Sequence, residues 1–185
     1  MCVSVNEEVV HGIPSDRKLK EGDVVSLDVT VVKNGFYADA AETLILESGT
    51  RNTENEELVR VTEESLHKGI SKAVIGNRVG DISYAIQDFV EKHGFSVIRD
   101  FIGHGIGLAM HEEPAVPNFG DAKTGVRLKE GMVLAIEPMV GMGGPEVDVL
   151  KDGWTVVMRD KKPAAHFEHT VAITKQGPKI LTKIV

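Results

Sequence analysis

The sequence predicts an α+β domain built on an internally duplicated sheet. Three observations favour this class: β-branched runs bounded by turn residues, two amphipathic helical segments in the middle of the chain, and a ten-residue pattern that occurs twice. At 185 residues, 42% of them hydrophobic, the chain can bury one sizeable core. We therefore expect a single domain over residues 1–185, made of half-repeats at about 1–50 and 51–185.

The first elements are predicted to be strands. Residues 2–5 alternate as a strand does, and residues 24–33 are rich in β-branched side chains. Asn34-Gly35 then indicates a two-residue hairpin turn, with residues 36–46 as the returning strand.

This turn fixes which residues of the hairpin face each other. If Asn34 and Gly35 form the loop, Thr30 pairs with Asp39, and Asp28 lies diagonally across from Asp39 on the same face. Two carboxylates at such range repel unless a cation lies between them, so the pairing predicts a divalent metal. The alternative is that both are ordinary strand charges, and a one-residue slip would separate them.

Two helices are predicted after the hairpin. Thr53-Glu54-Asn55-Glu56 matches a capping box, and the helical stripe that follows ends at Gly76. A second helix fits residues 81–93, with Asp81 as its N-cap and Gly94 as its stop. Residues 95–98 are typical of another strand.

The segment from Phe101 to Gly120 is predicted to be a loop that presents histidines. His104 lies between two glycines, and His111 is followed by Glu-Glu-Pro. This spacing is not HExxH, so a metal held here needs its remaining ligands from distant parts of the chain.

A pattern of ten residues occurs twice. Residues 19–28 and 128–137 share Leu-Lys-Glu-Gly, then Val, and both end in an acid, so that Asp28 corresponds to Glu137. We interpret the repetition as an internal duplication.

The similarity extends beyond the ten residues. A His-Gly-Ile tripeptide precedes each copy, at His11 and at His104, and each copy is followed by a strand with an acid, Asp39 or Glu168. The first half has no counterpart of the two helices, so we expect an N-terminally shortened protein or a fragment with part of its sheet uncovered. An uncovered apolar face favours association, which leaves a monomer and an associated form as alternatives.

These acids and one imidazole form an oxygen-rich candidate ligand set. Four carboxylates are too many for one small cation but can bridge two at about 3.5–4 Å. Co, Mn, Fe and Zn are all compatible with it, whereas calcium sites seldom use imidazole. The set consists of Asp28, Asp39, His104, Glu137 and Glu168.

Composition excludes several partners and compartments. With 21 basic and 28 acidic residues the net charge is −7, which gives no electrostatic basis for binding nucleic acid or an anionic membrane. The single cysteine indicates a reducing compartment, and no apolar run approaches the roughly 18 residues of a membrane span. We expect a cytoplasmic protein.

Eight short motifs carry a resemblance to a known family. HGIPSD, LDVTV, ADAAET, GHGIG, MHEEPAVPN, LAIEPM, DGW and HFEHT together resemble a type I methionine aminopeptidase of the pita-bread fold. The resemblance runs from Cys2 to Val185 and covers the larger, C-terminal part of such an enzyme. It implies that the five candidate ligands hold two divalent ions and that the chain removes initiator methionine before a small second residue.

The resemblance also implies roles for further residues. Glu137 is the general base, and His11 and His111 hydrogen-bond the scissile peptide and stabilise the oxyanion. The implied partners are nascent or finished chains that start with methionine, and association with the ribosome is compatible with them. Two alternatives stay open: another pita-bread hydrolase, such as an X-Pro aminopeptidase or dipeptidase, and a truncated, non-catalytic binding module.

Three residues resemble the walls of a methionine pocket: Cys2, Met110 and Trp154. Each also has an ordinary interpretation, as a small strand residue, a gap-filling side chain and an indole that covers a core.

Overall fold

The computed structural model describes residues 1–47 and 52–183. Within these ranges the chain forms two helices, α1 (Thr53–Lys72) and α2 (Val79–Lys92), and fourteen strands. The strands are β1 (Cys2–Val5), β2 (Glu8–Val10), β3 (Val24–Lys33), β4 (Phe36–Ile45), β5 (Ser96–Val97), β6 (Gly103–Gly105), β7 (Glu112–Val116), β8 (Val133–Ile136), β9 (Met139–Gly141), β10 (Val147–Val149), β11 (Val156–Met158), β12 (Ala164–His166), β13 (Glu168–Thr174) and β14 (Gly177–Ile180).

The largest sheet has a symmetrical strand order. Eight of the described strands run β1-β3-β4-β13-β8-β6-β7, with β14 paired to β13 outside this order. On either side of the antiparallel β4–β13 pair come β3 and β8, and then β1 and β6. Because β3 and β8 carry the two copies of the ten-residue pattern, this order agrees with the predicted duplication, whose half-repeat boundaries stay a prediction.

The hairpin of β3 and β4 has the predicted register. Lys33 pairs with Phe36 and Thr30 with Asp39, which leaves Asp28 opposite Ala41. Asn34 and Gly35 both have positive φ, 53° and 82°, as a two-residue turn that follows the strand twist requires. The predicted diagonal between Asp28 and Asp39 is therefore confirmed.

The start of α1 differs from the prediction. Asn52, not Thr53, is the N-cap, and its side chain accepts hydrogen bonds from the backbone of Glu54 and of Asn55, both at 3.2 Å. The helix ends at Lys72, four residues before the predicted stop at Gly76.

The start of α2 also lies earlier than predicted. The helix begins at Val79, so Asp81 is its third residue and its N-cap is Arg78. Asp81 Oδ2 accepts the backbone N–H of Arg78 at 2.8 Å, so the carboxylate stabilises the first turn from inside the helix. Gly94, with φ 82°, follows the helix end as predicted.

The histidine segment is not a loop throughout, because it contains β6 and β7. β6 pairs with β8 on one side and with β7 on the other. A Cβ on Gly103 would collide with the Ala135 carbonyl oxygen, and one on Gly105 with that of Glu113. These glycines therefore permit close strand pairing, and the prediction of a loop is wrong for the residues of β6 and β7.

The two His-Gly-Ile tripeptides do not occupy equivalent places in the sheet. His104 lies in β6, next to β8. Gly12, which follows His11, accepts a hydrogen bond from Val3 of β1 and so lies one strand further from β3. The tripeptide similarity therefore does not make His11 the structural counterpart of His104.

The helices cover one part of the sheet and leave another bare. A groove of about 440 Å³ lies between α1 and the strands β3 and β4, on the face of the sheet that points away from the Asp28 side chain. Val29, Val31, Phe36 and Leu44 stay exposed on that face, as expected for a partly uncovered sheet. The core under the helices includes Leu58, Leu66, Ile82, Ile86, Val90, Leu134, Ile136, Val140 and Val171.

Within the described residues, neither helix is long and apolar enough to cross a membrane.

Candidate metal centre

One cavity brings together the candidate ligand set. It has a volume of about 130 Å³ and lies where the two halves of the large sheet meet. β3, β4, β6 and β13 each contribute one of these side chains, and the fifth follows directly after β8. The five are Asp28, Asp39, His104, Glu168 and Glu137.

Three of these residues lie closest together. One ligand atom each from Asp39, His104 and Glu168 lies within 4.8 Å of the other two. Glu137 adjoins this group, because its Oε1 is 3.5 Å from His104 Nε2. Asp28 lies diagonally across the hairpin from Asp39, opposite Ala41, and lines the same cavity.

Two threonines orient Asp39. The Thr30 hydroxyl lies 3.0 and 3.1 Å from the two carboxylate oxygens of Asp39. The Thr170 hydroxyl on β13 accepts from the backbone N–H of Asp39 and donates to its carbonyl, both at 2.8 Å. Asp39 is therefore held by its side chain from β3 and by its backbone from β13.

Three acids of the cavity, Asp28, Glu137 and Glu168, lie in an environment that disfavours their charged form. Burial, with the negative charge of Asp39 and a hydrogen bond to it, raises the pKa of Asp28 to about 6. Burial, followed by repulsion from neighbouring acids, raises the pKa of Glu137 and of Glu168 well above its usual value. A cation in the cavity would relieve this repulsion.

The residues present fit divalent cations. Glu168 Oε1 is buried and has no hydrogen-bond partner among residues 1–47 and 52–183, so the fold leaves this oxygen available to a ligand. Burial lowers the pKa of His104, which favours the neutral imidazole that metals bind. Carboxylate oxygens with one imidazole are donors that divalent transition metals accept.

Three more of the predicted site residues line the same cavity: His11, His111 and Met110. The ring of His111 packs edge-on against that of His104, with the centroids 4.3 Å apart. His11 has φ 63°, a left-handed backbone conformation that is uncommon outside glycine and asparagine.

Cys2 and Trp154 are not among the residues that line this cavity, but each contacts or pairs with one that does. Cys2 pairs with Asp28 in the β1–β3 register, and burial together with that acid raises the pKa of its thiol. Trp154 stacks on His11 with ring centroids 4.6 Å apart and an angle of 19° between the rings. The structure thus places Trp154 as a support of His11, and the role of both residues in a methionine pocket stays a prediction.

Sequence reasoning missed His166, which also lines the cavity. Its side chain is 1% exposed. A signal was present, because His166 and Glu168 in HFEHT are two positions apart and alternate residues of an extended chain share a face.

The chain matches a known class of proteins in both sequence and fold. Residues 1–175 match the model of metallopeptidase family M24. The fold is also shared with the prolidase of Pyrococcus horikoshii, at a TM-score of 0.78 and 24% identity over 100% of this chain and 47% of that one. This is the pita-bread fold of metallopeptidases, as predicted.

Two relatives of higher sequence identity indicate the family within this class. The methionine aminopeptidase of Clostridium perfringens is 56% identical over 184 residues, which cover 100% of this chain and 73% of the relative. The crystal structure of methionine aminopeptidase from Thermotoga maritima superimposes with a TM-score of 0.96 at 53% identity, over 99% of this chain and 73% of that one. The chain belongs to the methionine aminopeptidases, a family of metal-dependent hydrolases.

Proposed function

We propose that this chain hydrolyses the peptide bond after an N-terminal methionine when the second residue is small. The observation that carries the proposal is the convergence of four acids and His104 on one cavity that is also lined by His11, His111 and Met110. Relatives of the same family, at about half identity over the whole chain, support the same substrate.

The ligand set favours two divalent ions over one. Four carboxylates are more ligands than one small cation needs. Two divalent ions relieve the mutual repulsion of the carboxylates more fully than one ion does. Co, Mn, Fe and Zn all suit this mixture of oxygens and one imidazole. When bound, such ions act as Lewis acids that activate water and polarise a peptide carbonyl. The proposed ligands are Asp28, Asp39, His104, Glu137 and Glu168.

Glu137 is the proposed general base. Its side chain is only 14% exposed and adjoins the closest-packed candidate ligands, and burial raises its pKa above the ordinary value of a carboxyl. Glu137 takes the proton of the attacking water and passes it to the amine that leaves.

His11 and His111 are the proposed donors to the scissile peptide. Burial is the main cause that lowers the pKa of His11, so its ring is neutral at neutral pH and keeps one N–H. A hydrogen bond from such a ring stabilises the oxyanion that develops on the carbonyl. Met110, which lines the cavity, and, more remotely, Cys2 and Trp154 shape the space for the methionine side chain.

We propose that the chain acts in the cytoplasm, where proteins are synthesised with an initiator methionine and a nascent chain presents its amino terminus as it leaves the ribosome. We propose that the protein acts on these termini, on or near the ribosome.

The test is methionine release from Met-Gly-Gly by protein that is stripped of metal and then titrated with Mn or Co. Release that depends on added metal, and that falls when Met-Leu-Gly replaces the substrate, is the expected result. Glu137→Gln should abolish turnover, whereas Glu130→Gln, an exposed acid that pairs with Lys175, should leave it unchanged. Preferential cleavage of an Ala-Pro peptide, or metal binding without release, would contradict the proposal.

A further inference from the structure

His166 is a buried imidazole without a hydrogen-bond partner for its ring. Its side chain is 1% exposed, and across the described part of the chain neither Nδ1 nor Nε2 has a partner. Buried polar atoms of native proteins are rarely left unpaired unless they serve a function. The ring faces the same cavity as Glu137.

The backbone of His166, in β12, is held by Thr43 of β4, a strand of the large sheet. Its N–H donates to the Thr43 hydroxyl at 2.8 Å, and that hydroxyl donates to the His166 carbonyl at 2.7 Å. The Thr43 hydroxyl is also 2.8 Å from that of Ser26. These contacts fix the backbone from which the ring projects, at the point where β4 meets β12.

Glu137 lies between two imidazoles, one for each carboxylate oxygen. Oε1 is 3.5 Å from His104 Nε2, and Oε2 is 3.8 Å from His166 Nε2. An imidazole always carries at least one ring N–H, so His166 has a donor to offer to the carboxylate that it faces.

We propose that His166 is a positioning residue for Glu137, in which the ring turns its Nε2–H to Oε2 and holds the carboxylate that accepts the proton. His166 then orients the carboxylate through Oε2, whereas His104 lies next to Oε1. The inference rests on the proposed function in that it treats Glu137 as the base. If the His166 ring only filled space, replacing it by an apolar side chain of similar volume would not affect the function of Glu137.

The kinetic test compares His166→Leu with His166→Gln. Leucine keeps the volume and removes the N–H, whereas glutamine keeps an amide donor of similar reach. We expect kcat to fall about 10- to 100-fold in His166→Leu with KM and metal content unchanged, and to recover in His166→Gln. Equal activity of the two variants, or loss of metal in both, would overturn the proposal.

A spectroscopic measurement tests the contact without turnover. In zinc-loaded protein with 15N-labelled histidine, the ring signals of His166, assigned by their absence in His166→Gln, should show a neutral ring with the proton on Nε2. Replacement of Glu137 by Leu should remove this preference. A proton on Nδ1 in the unchanged protein would overturn the proposal, whereas absence of methionine release in that protein would overturn only the proposed function.

Discussion

The hydroxyl of Thr30 donates to both carboxylate oxygens of Asp39, at 3.0 and 3.1 Å. The two residues face each other across the hairpin, so the turn that sets the register also sets this contact. A hydrogen bond to a candidate ligand fixes its orientation and so contributes to metal affinity.

We predict that Thr30→Val weakens metal binding about 10- to 100-fold, because valine keeps the shape and the strand preference of threonine but removes the hydroxyl. Thr30→Ser, which keeps the hydroxyl, is the matched control. Titration of metal-free protein with Co or Mn measures both variants. Equal affinity of Thr30→Val and the unchanged protein would show that Asp39 is held sufficiently by Thr170.

The stacked pair of His11 and Trp154 leads to a second prediction. His11→Ala should lower kcat and leave metal content unchanged, because His11 lies outside the candidate ligand set. Trp154→Ala should lower kcat by a smaller factor by releasing the His11 ring, and Trp154→Phe should preserve most of the activity because it can still stack. Loss of metal from His11→Ala would instead indicate that His11 binds or supports the ions.

The raised pKa of Asp28 predicts a pH-dependent effect on the metal-free protein. Its ordinary pKa of 3.8 rises to about 6 in the folded chain, so the stability linked to this carboxyl is full below about pH 4 and is lost as pH rises to about 6. Asp28→Asn, which carries no charge, should therefore raise the Tm of metal-free protein at pH 8 but not at pH 4. Thermal unfolding at the two pH values measures this, and an equal change in Tm at both would exclude a charge effect.

The N-cap of α1 provides a test that is independent of the cavity. Asn52→Ala should lower the free energy of unfolding by about 1 kcal/mol, since it removes an acceptor for two N–H groups of the first turn. Thr53→Ala should have a smaller effect, because Thr53 is the first helical residue and not the cap. Urea unfolding of both variants decides between them, and a larger loss in Thr53→Ala would favour the capping box predicted from sequence.

The hairpin and its two aspartates could be predicted because local rules determine them. Asn34-Gly35 allows few turn geometries, and a two-residue turn fixes every pair of β3 and β4. The pairing of Thr30 with Asp39 follows from counting residues back from the turn along both strands. The remaining candidate ligands came from the duplication and from the resemblance to a family.

Other features could not be predicted because they depend on distant contacts. β6 contains glycines that disfavour strands, yet it pairs because Gly103 and Gly105 let neighbouring backbones approach. His166 becomes a cavity residue only when Thr43, from the other half of the chain, holds its backbone. The helix starts were misplaced by one or two residues because several polar residues there could each serve as a cap.

The hydroxyl of Thr170 joins two segments that are 131 positions apart in the chain. Closing such a span costs more entropy than closing a hairpin, so β4 and β13 meet after the local elements have formed. During synthesis, the first two aspartates are present long before Glu168 is added. A growing chain that has not yet reached Glu168 therefore lacks one of its five candidate metal ligands, and we expect no metal-dependent hydrolysis from it before β13 has joined β4.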